Sequence, residues 1–293
     1  MIRPHLHDDA LLADVVAARR DPGALHLWWL GQSGFLVQWQ GRHLLLDPYL
    51  SDSLTRKYAA TDKPHARLSE RVLAPERLDF IDVVTSSHTH TDHLDPETLH
   101  PLERANPALI LVCPEATREL ARERSGLPDE RIVGLDGGSM AFGGASPTRT
   151  TTVSVAGFEV HAIPAAHEKL DTDGQGRHLY LGYVVKAGPW TLYHSGDTML
   201  YDGLADRLRP FRVDVALLPI NGRAPERRVA GNLWGREAAW LAREIGAGVA
   251  IPCHYDLFEF NTATPDEFVT ECDRLGQRGC VLRLGERWTA EGR

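Results

Sequence analysis

The chain has 293 residues, 43% hydrophobic and 25% charged, a composition that suits a globular protein with a full-sized core. Its formal charge of −8 and pI near 5.9 argue against general attraction to nucleic acid or anionic lipid. No stretch approaches the roughly 18 apolar residues of a membrane span, and the four cysteines form no CxxC pair, so a reduced, cytoplasmic setting is expected.

The opening Met1-Ile2-Arg3-Pro4-His5 has no basic stretch leading into an apolar run, so no signal peptide is expected. Leu11, Leu12, Val15 and Val16 recur at helical spacing behind Asp8 and Asp9, which predicts a helix over 8–20 within an N-terminal extension, residues 1–24. Segments 25–30, 34–39 and 43–46 read as an antiparallel meander. Residues 51–78 are polar, rich in Arg and Pro and without a period, and read as a long loop near the site.

An alternation follows: strand 80–86, helix 96–105, strand 109–113, helix 115–124 and strand 131–134. Strands return at 151–155, 158–163, 179–186 and 190–194. The last portion reads as strand 213–219, helix 235–245, strand 248–252, helix 265–276 and strand 280–284. Two β-rich openings, each passing into βα units, predict two similar halves in one domain, with sheets face to face and helices outside.

The strand at 80–86 runs into His88-Thr89-His90-Thr91-Asp92-His93. Imidazole nitrogen and carboxylate oxygen are ligands that borderline divalent ions accept, and ionisable groups crowded at a buried edge are costly unless paired or bound to a cation. Side chains of an extended segment alternate faces, so His88 and His90 are expected on one side, with Asp92 and His93 reaching a second point nearby. Such a run can hold two metals. Three later strands also end in metal-capable residues: His167 after Pro164-Ala165-Ala166, Asp197 after Ser195-Gly196, and His254 after Cys253. Binding sites gather beyond the carboxyl ends of strands in α/β sheets, so the four ends support one another.

His-x-His-x-Asp-His, a later His, a Gly-Asp and a final His in this order resemble the metallo-β-lactamase-fold superfamily, from about Leu25 to the C-terminus. The resemblance implies an αβ/βα four-layer sandwich. Narrower features are similar to the L-ascorbate-6-phosphate lactonase group: Leu27-Trp28-Trp29-Leu30-Gly31, Leu192-Tyr193-His194-Ser195-Gly196-Asp197, Val213-Asp214-Val215-Ala216-Leu217, and Ile251-Pro252-Cys253-His254-Tyr255-Asp256. The chain departs from that group at His167, where the lactonases carry Asp, and at Tyr255, where they carry a second His. The resemblance implies that His88, His90 and His167 hold one ion, that Asp92, His93 and His254 hold another, and that Asp197 bridges them. It also implies zinc or manganese as the ion and a homo-oligomeric assembly.

In that arrangement two ions hold a hydroxide, Asp92 orients it and shuttles a proton, and the ions absorb the oxyanion charge. Asp47 is either a hydrogen-bond partner to a ligand histidine, as the resemblance implies, or a turn aspartate before Pro48. His194 is expected to be structural and Cys253 a small buried hydrophobe. Segment 221–228 carries three arginines, suited to phosphate or carboxylate or else simply solvated. Asn221, Arg223, Arg227 and Tyr255 are the candidate substrate contacts, while Phe258, Phe260 and Asn261 line the pocket or belong to the core. The expected function is hydrolysis of a lactone or related ester of a small molecule, including phosphorylated sugar acids. The alternatives are a phosphodiesterase on a small or phospholipid-like substrate and a non-catalytic metal or ligand sensor.

Overall fold

The computed structural model describes residues 1–138 and 149–290. It has two mixed sheets with helices around them. The first sheet begins with β1 (Leu25–Gly31), β2 (Gly34–Trp39) and β3 (Arg42–Leu46), which pair antiparallel in sequence order. β4 (Val83–Thr85), β5 (Ile110–Pro114) and β6 (Ile132–Leu135) then add in parallel. The second sheet repeats that logic. β7 (Thr152–Val155), β8 (Phe158–Pro164), β9 (Leu181–Ala187) and β10 (Trp190–His194) are antiparallel, and β11 (Val215–Pro219) and β12 (Val249–Cys253) continue in parallel.

Every residue of β1 and β2 is buried, as befits strands covered on both faces. One continuous cluster of buried side chains runs through both sheets, from Leu27 and Phe35 to Val184 and Leu217. Helices supply the outer cover. The helix α1 (Asp8–Ala18) buries Leu11, Val15 and Ala18, and α2 is the short Ser53–Tyr58. In α3 (Pro96–Ala105) the Asp95 side chain caps the Glu97 N–H and proline opens the first turn. α4 (Arg118–Ser125), α5 (Leu204–Leu208), α6 (Gly235–Glu244) and α7 (Asp266–Leu275) complete the set.

The structure departs from the expected elements at three places. Segment 51–78 is not wholly irregular, because α2 lies within it and buries Leu54. Helix α5 has too few residues to show a period. No strand forms at 280–284. There Gly279 makes a single bridge to Ala250, and Tyr255 Oη donates to Leu282 O at 2.9 Å. The edge strand is β13 (Arg287–Ala290), which pairs antiparallel with β1 and covers its open side. Apolar Val281 and Leu282 mimic a strand, but the ladder partner that β1 offers lies five residues on.

Candidate metal centre

Loops leaving β3, β4, β8, β10 and β12 converge on one place. Residues 88–93 form a turn rather than an extended run, since the N–H groups of His93 and Leu94 both donate to His90 O at 3.0 and 2.9 Å. Arg124 Nη1 donates to Thr89 O at 2.5 Å and ties the turn to α4. The His88 and His90 rings lie 4.6 Å apart, edge to face, and His167 stands 5.1 and 5.0 Å from them. His254 takes a left-handed backbone (φ 62°) and its N–H donates to Gln32 O at 2.8 Å.

Three sets of residues can each offer ligand atoms within 4.8 Å of one another: His88, His90 and His167; His88, His93 and Asp197; and Asp92, His93 and His254. Asp197 lies between the outer two sets, with Oδ1 3.4 Å from His93 Nε2 and Oδ2 3.3 Å from His254 Nε2 and 3.5 Å from His167 Nε2. His88 Nε2, His93 Nε2 and Asp197 Oδ1 are buried without a hydrogen-bond partner. Buried polar atoms left unpaired cost roughly 1–3 kcal/mol each, so three converging on one point fit a bound cation.

A second layer holds these rings. Asp47 Oδ2 accepts from His93 Nδ1, and Asp47 Oδ1 accepts from Ser87 N and Thr85 Oγ1, both at 3.0 Å. Ser87 Oγ donates to Asp47 Oδ2 and lies 3.0 Å from His88 Nδ1. His167 Nδ1 donates to Gly231 O at 2.9 Å. Each such partner leaves Nε2 as the free lone pair. Close approach here requires Gly196: it adopts φ +57°, and a Cβ on it would sit 2.6 Å from Ser87 Cβ.

Electrostatics follow from this crowding. Burial drives His88 well below the ordinary histidine range, and it pushes His167 down to about 4 against the pull of Asp197. Burial also opposes charge on His93, but Asp197 and Asp92 outweigh it and raise that ring well above its usual value. Burial likewise raises Asp197 and Asp92, yet the charges on His254 and His93 prevail and lower both carboxyls.

Gln32 and Tyr180 also belong to the site. The fully buried Gln32 donates from Nε2 to Asp92 Oδ2 at 2.8 Å, and that nitrogen is 3.1 Å from His254 Nε2. The Tyr180 ring lies 5.2 and 5.5 Å from those of His88 and His167. Neither residue type announces a ligand-holding role; the one available signal for Gln32 is its place in the turn between Gly31 and Gly34.

A cavity of about 500 Å³ opens onto Asp92, Asp197, His90, His167 and His254. The expected substrate contacts lie apart from this cavity. Asn221, Arg223, Arg227 and Tyr255 do not line that cavity. Arg223 is engaged by Glu237 through two 2.7 Å bonds, Arg227 donates to the carbonyls of Asn221 and Thr262, and Asn221 Nδ2 donates to Asn261 Oδ1. Tyr255 stacks on Trp29 at 4.4 Å behind the site. Phe258, Phe260 and Asn261 do line the cavity, together with Lys57, Arg124 and Arg228. His194 is buried with Nε2 2.8 Å from Ser33 O, and Cys253 is a buried free thiol.

Residues 42–255 match a family model described as the Beta-lactamase superfamily domain. The chain is 29% identical over 263 residues to a UPF0173 metal-dependent hydrolase of Caldivirga maquilingensis, covering 89% of this chain and 96% of that protein. Its fold is similar to that of the metallo hydrolase Igni18 from Ignicoccus hospitalis, with TM-score 0.65, 21% identity and coverage of 92% and 100% of the two chains. It is also similar to an isothiocyanate hydrolase from Delia radicum gut bacteria, with TM-score 0.67, 18% identity and coverage of 90% and 98%.

Proposed function

The chain belongs to the beta-lactamase superfamily as a metal-dependent hydrolase, and from that premise we propose that it opens a lactone or cleaves a related carboxylic ester at a two-ion centre. In this reading His88, His90 and His167 hold one divalent ion, zinc or manganese. Asp92, His93 and His254 hold the second, and Asp197 is shared. The observation that carries it is the convergence of buried, unpartnered His88 Nε2, His93 Nε2 and Asp197 Oδ1 beside an open cavity. Bound ions would supply a lowered water pKa and a clamp for oxyanion charge.

The protein's own groups do the rest. In hydrolysis a water oxygen bonds to the acyl carbon, the acyl–oxygen bond breaks, and one water proton ends on the leaving oxygen. Asp92 faces the cavity, so its carboxylate takes that proton and returns it to the leaving group. Gln32 Nε2, donating to Asp92 Oδ2, fixes the carboxylate's orientation. Asp47, Ser87 and the Gly231 carbonyl hold the imidazoles with Nε2 inward.

The test is elemental analysis of the purified chain, followed by assay of a lactone and ester panel beside bis(p-nitrophenyl) phosphate, before and after chelation. Two ions per chain, with lactone or ester turnover that chelation abolishes and zinc or manganese restores, are expected. Preference for the phosphodiester would move the assignment to a phosphodiesterase. Metal without any turnover would move it to a sensor.

A further inference from the structure

One wall of the cavity is aromatic and stands apart from the main core. A separate cluster of Tyr49, Leu54, Leu257 and Phe258 supports it, with Tyr58 and Phe260 packed against that cluster. His65 is the centre of the wall: its ring stacks on Tyr58 at 4.2 Å and meets Phe260 and Phe258 edge-on at 4.5 and 5.2 Å. These rings brace one another, so a ligand settling on them orders little that is not already ordered.

The charge along the cavity runs against that of the whole chain. The protein carries a net −8, yet the carboxylates among the described lining residues are Asp92 and Asp197 alone, both in the candidate metal centre. The cations are Lys57, Arg124 and Arg228. Arg228 is paired with Asp62 at 2.8 Å. Lys57 and Arg124 have no carboxylate partner among the described residues: the Lys57 ammonium lies 5.2 Å over the Tyr58 ring, and Arg124 meets the Thr89 carbonyl. Unpaired cations beside a low-dielectric wall attract and orient an anion.

We infer that the substrate is an amphiphilic anion: an ester or lactone with an aromatic or short apolar body and a carboxylate or phosphate group. The body lies on the Tyr58, His65, Phe258 and Phe260 wall, and the anion meets Lys57 and Arg124. The inference rests on the hydrolase reading for the chemistry and adds to it the class of molecule admitted.

The test uses the metal-loaded full chain and four acetate esters that separate charge from ring: 4-acetoxybenzoate, phenyl acetate, acetoxyacetate and ethyl acetate. A fifth, 4-acetoxyphenyl phosphate, distinguishes phosphate from carboxylate. The ester bearing both features should show a KM about tenfold below that of either single-feature ester, one charge-assisted contact's worth against phenyl acetate and one aromatic contact's worth against acetoxyacetate. Lys57→Met should narrow the advantage of 4-acetoxybenzoate over phenyl acetate, and Phe260→Ala its advantage over acetoxyacetate.

Comparable KM values across all esters, with turnover intact, would overturn the substrate inference and leave the hydrolase reading standing. A calorimetric titration with benzoate covers the converse. Binding that weakens about tenfold in Lys57→Met, with no ester or lactone turned over, would overturn the ester-and-lactone reading and keep the anion subsite. Absence of both turnover and benzoate binding would overturn both.

Discussion

Asp47 Oδ2 lies 2.7 Å from His93 Nδ1, and neither side chain reaches solvent. Through Ser87 the same carboxylate also reaches His88, so one residue governs the orientation of two rings. Asp47→Ala should lower metal affinity about 10–100-fold, the usual cost of losing such a partner. Competition against a chromophoric chelator measures it, and unchanged affinity would remove Asp47 from the site.

Gln32→Ala removes the donor to Asp92 while leaving every metal-capable side chain in place. Under the proposed roles, kcat should fall about tenfold, the equivalent of one hydrogen bond to a charged group, with little change in KM. Steady-state kinetics on any accepted ester decides it. An effect on KM alone would make Gln32 a substrate contact instead.

Gly196→Ala places a methyl 2.6 Å from Ser87 Cβ and 2.8 Å from Leu181 O, on a backbone at φ +57°. Both the clash and the backbone conformation oppose it, so a loss of about 2 kcal/mol or more is expected. Thermal melting should fall by several degrees, and metal binding should weaken with it because Ser87 must move. A variant as stable as the parent would contradict the packing described.

His43 offers a pH test away from the metal-capable residues. Burial, reinforced by Arg19, lowers its pKa from 6.5 to about 4. The ring packs edge-on against Phe80 at 4.7 Å, and its Nε2 lies 3.2 Å from the Gln38 side-chain amide. The folded state therefore favours the neutral ring. Its contribution is full above pH 6.5 and is lost as pH falls toward 4, up to about 3 kcal/mol in all. Urea denaturation of the parent and His43→Gln at several pH values should show a shallower acid loss in the variant; parallel curves would refute it.

What was legible in the sequence depended on whether residue type alone announced a role. His88, His90, Asp92 and His93 sit within six residues, a density of metal-capable side chains that is conspicuous from residue type alone. His167, Asp197 and His254 were legible because each follows an apolar strand. Ser87 and Gln32 were not, since serine and glutamine occur everywhere and their importance comes from contacts across 40 and 60 residues of chain. The partner of Arg223 was hidden in the same way: Glu237, in the first turn of α6, accepts from both of its terminal nitrogens. Lys57 was hidden in a segment whose short helix α2 has no repeating pattern to detect.

The aromatic wall stands on its own small cluster, apart from the core that supports the histidines and aspartates. Exchanging Tyr58, His65 or Phe260 would therefore leave both sheets and the candidate metal ligands standing on their own support. If the proposed substrate class holds, selectivity can diversify at this wall while the residues assigned to the chemistry are inherited intact, which makes it the natural place for directed mutagenesis.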